Sequence, residues 1–208
     1  DRMIDAREMT AAERDALREI ANIGAGHAAT ALSQMTGRTI MIDVPQVDVK
    51  RLEEAAELLG PADTIIAAVL MHMMGDLTGR TLLVFPESSA RTLCGILLRS
   101  PSGGPGFTEM ERSTVMETGN ILCSAYLNAL SDFMGMMLVP SVPALVVDQA
   151  GAVLTTAYLN FGHSRDHVIC VETAFRIAGS DESVNGQFIL MPDVASLTAI
   201  FDSIRPAR

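Results

Sequence analysis

Apolar positions along the chain change their period several times, and each change marks an element. Leu17, Ile20, Ala21, Ala28, Ala31, Leu32 and Met35 recur at spacings of three, four and seven, the signature of a helix with one buried side. Leu122, Ala125, Tyr126, Ala129, Leu130 and Phe133 do the same further on. Each run starts at a capping-box pattern, Thr10-Ala-Ala-Glu13 and Thr108-Glu-Met-Glu111, and stops before a glycine, Gly37 or Gly135, which predicts two helices of about 25 residues. The pattern then turns strand-like over Thr39–Lys50 and Met137–Asp148. A short helical pattern follows each, over Lys50–Gly60 and Gln149–Tyr158. Apolar runs at Thr64–Met74 and Gly79–Pro86 flank a Gly75-Asp-Leu-Thr turn and predict a hairpin. Its counterpart pairs Val168–Ile177 with Gln187–Met191 across Ala178–Gly186. Helical patterns at Ser88–Leu98 and Asp193–Ile204 close the two series.

The order of elements is thus written twice. Residues 1–208 are read as a single domain of two internal repeats, about 10–99 and 108–204. Ser100-Pro-Ser-Gly-Gly-Pro-Gly106, within a linker of 100–107, joins them. The expected architecture is α/β, an α+β sandwich with pseudo-twofold symmetry. Six strands form an antiparallel sheet, and the long helices pack on it.

Composition narrows the class. The chain is 49% hydrophobic and 19% charged, enough for a core and unlike a disordered segment. A net charge of −10 without a basic stripe argues against a nucleic-acid partner. The longest apolar run, Thr64–Met74, contains His72 and is too short for a membrane span. Cys94, Cys123 and Cys170 each lie in an apolar pattern, and an odd number far apart fits buried free thiols better than a disulfide framework. The charged opening, Asp1-Arg-Met-Ile-Asp-Ala-Arg-Glu-Met-Thr10, lacks the apolar segment of a signal peptide, so a cytoplasmic location is expected.

One stripe of polar residues stands out because it recurs. Asp15, Glu19 and Asn22 fall at i, i+4 and i+7 on the first long helix, and Pro45 follows. Ser113, Glu117, Asn120 and Pro143 repeat the spacing, each displaced by 98 positions. On a helix the three side chains fall within about 60° of azimuth. A single Glu and Asn near a helix start is ordinary solvated surface. Twice is different: Asn is a poor helix former, and a surface under no demand need not keep it mid-helix in both copies. The prolines either shape the backbone beside each stripe or only end sheet pairing.

These spacings resemble the signature of the CheC family of chemotaxis phosphatases, as do Asn22-Ile-Gly-Ala-Gly26 and Glu117-Thr-Gly-Asn-Ile-Leu-Cys-Ser-Ala-Tyr-Leu127. The resemblance covers roughly residues 10–204. It implies hydrolysis of the aspartyl phosphate of the response regulator CheY. In this reading Asn22 and Asn120 orient the attacking water, and Glu19 and Glu117 dock against the regulator's lysine. Asp15 and Ser113 either support docking or answer the helix dipole. The chain would bind no cofactor of its own, the Mg²⁺ coming with the response regulator. The resemblance also implies the receptor deamidase CheD as a further partner. The alternative it offers is a non-hydrolytic regulator-binding module of the flagellar switch, like FliY or FliM. Two departures are present: His27 stands where many relatives have Asn, and Ser113 replaces Asp.

Other patterns carry less. Gly24-Ala-Gly26-His-Ala-Ala29 matches a dinucleotide-binding pattern but follows a helix, so close helix packing is expected of its glycines. His163 and His167 are spaced i, i+4 without a third ligand in reach, which argues against zinc. Met71, Met73 and Met74 are expected in the strand core, or else on a soft contact surface.

Overall fold

A computed structural model describes residues 9–161, 167–179, 181 and 183–205. Asp1–Glu8, His163 and two residues of the second hairpin's turn, Ser180 and Glu182, therefore lie outside the described residues. The long helices are α1 (Ala11–Thr36) and α4 (Glu109–Met134), 26 residues each. Both capping boxes are closed. The Thr10 N–H donates to Glu13 Oε2 at 2.8 Å and the Glu13 N–H to Thr10 Oγ1 at 3.2 Å. Thr108 and Glu111 repeat this at 2.7 and 3.2 Å. Each carboxylate is also tied from outside its helix, Glu13 by Arg205 Nε at 2.9 Å and Glu111 by the Ser102 hydroxyl. The Thr10 backbone N–H, ahead of Arg205, holds Glu13 below its ordinary pKa, and the Ser102 hydroxyl, ahead of the Thr108 N–H, does so for Glu111. At the far ends Gly37 and Gly135 both take φ 65, the left-handed turn that stops a helix.

The strands are β1 (Ile40–Asp43), β2 (Val47–Arg51), β3 (Ile65–Gly75), β4 (Gly79–Pro86), β5 (Leu138–Pro140), β6 (Ala144–Gln149), β7 (His167–Ile177) and β8 (Ser183–Pro192). They form one antiparallel sheet in the order β1-β7-β8-β4-β3-β5, with β2 also on β7 and β6 also on β3. Six positions across the sheet are thus filled by eight strands, because each outermost strand is broken in two. The break comes at Val44-Pro45-Gln46 on one edge and Ser141-Val142-Pro143 on the other. Asp43 pairs with Ala174 and Val47 with Val171, so three residues oppose two. Pro140 pairs with Met73 and Ala144 with Leu70, the same count. A bulge on an edge strand is where proline, lacking an N–H, costs the ladder nothing. The outer strands also cross over: β1 and β2 pair with β7 beyond the linker, and β5 and β6 pair back onto β3. At the centre, β4 and β8 join along Gly79–Val84 and Gln187–Pro192.

Both faces of the sheet are covered. Ala67, Val69, Met71 and Met73 of β3 join the core beneath α1, α4, α3 (Glu87–Leu98) and α6 (Val194–Ile204). Ile66 and Ala68, at the alternate positions, join a smaller core with Leu52 and Ala55 of α2 (Leu52–Glu57) and Ala150 and Val153 of α5 (Ala150–Phe161). This second helical layer explains why the central strands are apolar at successive positions and do not alternate. Cys94, Cys123 and Cys170 are free and buried, as expected.

Two core expectations need correction. Met35 and Phe133 are each 49% exposed. Both lie on the azimuth of the buried stripe, but the last helical turn runs past the core that would cover it. The second hairpin also differs, since β8 begins at Ser183 and not Gln187.

Candidate functional site

On α1, Asp15, Glu19 and Asn22 are exposed, while Leu17, Ile20 and Ala21 between them are buried. On α4, Ser113 and Glu117 are exposed and Asn120 is half-buried, above buried Val115, Thr118 and Leu122. Each trio therefore lies on the outward side of its helix, with Glu and Asn about 4.5 Å apart along the axis. None of the six side chains has a hydrogen-bond or ion-pair partner among the described residues. The two carboxylates and two carboxamides are free to meet another molecule.

What holds these edges still is close packing underneath. The two long helices lie against each other, and a Cβ on Gly24 would come within 2.6 Å of Tyr126 Cδ1 and 3.0 Å of Tyr126 Cα. Close helix packing is thus the role of Gly24. Gly26 does not share it: a Cβ there would meet nothing within 4 Å. Tyr126 is locked in turn, its hydroxyl 3.1 Å from Thr173 Oγ1 and its ring 4.7 Å from that of Phe188. Burial pushes its phenol pKa well up. Where α1 meets the sheet, Leu17, Ile20 and Ala21 border an apolar void of about 40 Å³ that Tyr126 and Phe188 also line. Under α4, Gly119 drops directly onto Val69, and a Cβ added to it would lie 2.6–2.8 Å from three atoms of the valine side chain. Asn120 follows immediately and is the less exposed of the two amides.

A serine near the end of each helix holds the chain that leaves it, by a different bond in each case. Ser33 Oγ accepts from the Ile40 N–H at 2.9 Å, and the Ser131 hydroxyl donates to the Met136 carbonyl. The strands entered next carry the prolines. β1 and β2 lie against α1, and β5 and β6 against α4, so each bulged edge accompanies one stripe. Pro45 is exposed and Pro143 half-buried.

The remaining signals sort simply. His27 is exposed, and His167 opens β7 opposite Arg51. Among the described residues no group of three His, Cys, Asp or Glu could hold a metal ion, and no helix is long and apolar enough to cross a membrane. Met71 and Met73 are core at 1% exposure, whereas Met74 is 45% exposed. Sequence reasoning missed the role of Gly119. Its signal was a glycine beside Asn120 on the inward side of a helix.

A model of the CheC-like family matches residues 13–48 and 110–147, and each segment contains one complete stripe with its proline. The chain is 32% identical over 192 residues to the CheY-P phosphatase CheC of Bacillus subtilis (strain 168), covering 91% of this chain and 92% of that one. Among solved structures, Thermotoga maritima FliY matches with a TM-score of 0.77 at 20% identity, over 95% of this chain and 98% of that one. The FliM middle domain from H. pylori matches at 0.60 and 18% identity, over 94% and 99%. These two share the fold.

Proposed function

The chain belongs to the CheC-like family, and from that premise we propose that it is a phosphatase acting on the aspartyl phosphate of a CheY-type response regulator, from two surface edges. The reading rests on one observation: both carboxamides stand on the outer side of rigid 26-residue helices, each one turn from an unpaired carboxylate.

An acyl phosphate already has its electrophile, and its Mg²⁺ belongs to the regulator's own centre. It needs a well-placed water, since phosphoryl transfer depends on positioning and charge stabilisation more than on covalent help. The amide of Asn22 or Asn120 can accept from that water and donate to a neighbouring oxygen. The water oxygen bonds to phosphorus, the bond from phosphorus to the aspartyl oxygen breaks, and the regulator regains its carboxylate as inorganic phosphate leaves. Glu19 or Glu117 pairs with the regulator's lysine and sets the docking register. Asp15 and Ser113, one turn earlier, extend the contact.

The test is phosphate release from a phosphorylated receiver domain. Asn22→Ala combined with Asn120→Ala is expected to abolish catalysed release while complex formation persists. Release at the parental rate would refute the assignment. A second reading, a switch module that binds the phosphorylated regulator without hydrolysing it, draws support from the fold shared with FliM. It requires that the parental chain bind the regulator and leave the phosphate half-life unchanged.

A further inference from the structure

The chain carries a net charge of −10, yet three of its arginines converge on one open cleft of about 410 Å³. The cleft lies between the C-terminal ends of α1 and α3 and the start of the linker. Arg38, Arg91 and Arg99 line it, with Thr92, Ser100 and Ser102. Among the described residues no carboxylate lines it. Glu87 is engaged with Arg91, and Glu111 accepts from the Ser102 hydroxyl.

The guanidinium donors exceed the acceptors offered to them. Arg38 Nη1 donates to the Ile96 carbonyl at 3.0 Å, and Arg99 Nη2 to the Thr36 carbonyl at 3.0 Å. Each thereby caps the end of the other's helix, and each has four further N–H groups without a protein partner among the described residues. Arg91 is the most firmly fixed. Its Nε and Nη2 reach Glu87 Oε1 at 3.1 and 2.8 Å, and its guanidinium lies 4.6 Å from the centre of the Phe107 ring. Its Nη2 also donates to the Gly106 carbonyl at 3.1 Å, and its Nη1 is shut off from water and meets no acceptor among the described residues. Arg99 is the one described non-glycine residue with a left-handed backbone, φ 54.

Helix capping alone does not account for this collection. Gly135 ends α4 as Gly37 ends α1, and the residue after it is Met136 where α1 has Arg38. The fold closes that turn without a guanidinium there. A cleft of this size is in the range of small-molecule sites, roughly 300–1,000 Å³, and guanidinium forks match phosphate and carboxylate oxygens. We propose that the cleft binds a small multivalent oxyanion, bearing phosphate or carboxylate groups and no larger than about a mononucleotide, through the free donors of Arg38 and Arg99, with Arg91 forming part of the wall.

Thermal unfolding of the full chain tests this with sodium pyrophosphate, sodium citrate, and sodium chloride at matched ionic strength. The expected result is a rise in Tm over the chloride control of roughly 5 °C, at about a hundredfold excess over Kd. A larger rise with pyrophosphate assigns a phosphate ligand, and a larger rise with citrate a carboxylate one. Arg38→Gln with Arg99→Gln should abolish the rise but also weakens two helix caps. Thr92→Glu therefore serves as the second variant, placing a carboxylate in the cleft with both caps intact, and it too should abolish the rise. Equal Tm in all three salts, or an undiminished rise in Thr92→Glu, would overturn the proposal.

Discussion

Gly119→Ala isolates how the second edge is held. The added Cβ would come within 2.6, 2.7 and 2.8 Å of three side-chain atoms of Val69. Val69 is 0% exposed and sits on a central strand. A β-branched side chain there has little rotamer freedom to yield. α4 and β3 must therefore separate by about 1 Å to restore ordinary contact distances. Overpacking of this kind costs ~1–3 kcal/mol, and replacing a helical glycine by alanine returns up to ~1 kcal/mol. The net expectation is a loss of about 1–2 kcal/mol, which for a chain of this length lowers Tm by roughly 2–8 °C. Because Asn120 is the next residue, the same shift displaces its amide. A misplacement near 1 Å can cost about 10²-fold in rate. The assay is thermal unfolding together with phosphate release in an Asn22→Ala background, where only the second edge contributes. Gly26→Ala is the control: it meets nothing, so it should raise stability by about 0.5–1 kcal/mol. If Gly119→Ala unfolds no earlier than the parent and releases phosphate as fast, the packing argument for this edge is wrong.

Further outcomes are expected. Glu19→Lys with Glu117→Lys should weaken regulator binding at least about tenfold in a titration, through like-charge repulsion; unchanged affinity would remove the docking role. Burial pushes the thiols of Cys94 to about 11 and of Cys123 and Cys170 to about 12. At pH 8 all three should resist a thiol-reactive disulfide reagent until the chain is unfolded in urea, and fast labelling of the native protein would contradict this. Glu13 and Glu111 have folded pKa values below their ordinary 4.5. Their stabilisation is therefore present above that value and lost as pH falls from it through the folded pKa. Glu13→Gln and Glu111→Gln should be less stable near neutrality and show a shallower acid limb in urea melts, whereas an unchanged limb would deny the linkage.

The long helices were legible because their signals are local: a Thr and a Glu three apart at one end, a glycine at the other, apolar residues at helical spacing between. The stripes were legible because they recur. Other features depend on partners far along the chain. Ser183-Val-Asn-Gly186 begins β8 although only Val184 supplies an inward apolar side chain, since Gly186 lies under Phe85, where a Cβ would be 2.5 Å from Cε1. Periodicity cannot see a strand whose inward residue has been reduced to make room. The second helical layer had a signal that went unused, the successive apolar residues of Ile65–Leu70, which alternation would not produce if one face met water. Met35 and Phe133 fit the helical period, but period does not tell where a helix outruns its cover. Arg38, Arg91 and Arg99 are brought together only by folding.

The crossing of the outer strands has a further implication. Severed at Gly103, the polypeptide would yield two fragments, each holding an outer strand that belongs to the other's hairpin and each exposing half of the central seam. Neither would be complete alone, and mixing them is the natural route back to a native sheet. Covalent fusion fixes that partnership at one to one. It also frees the two polar stripes from being copies, so that an aspartate can open one and a serine the other, a divergence that two identical subunits could never sustain.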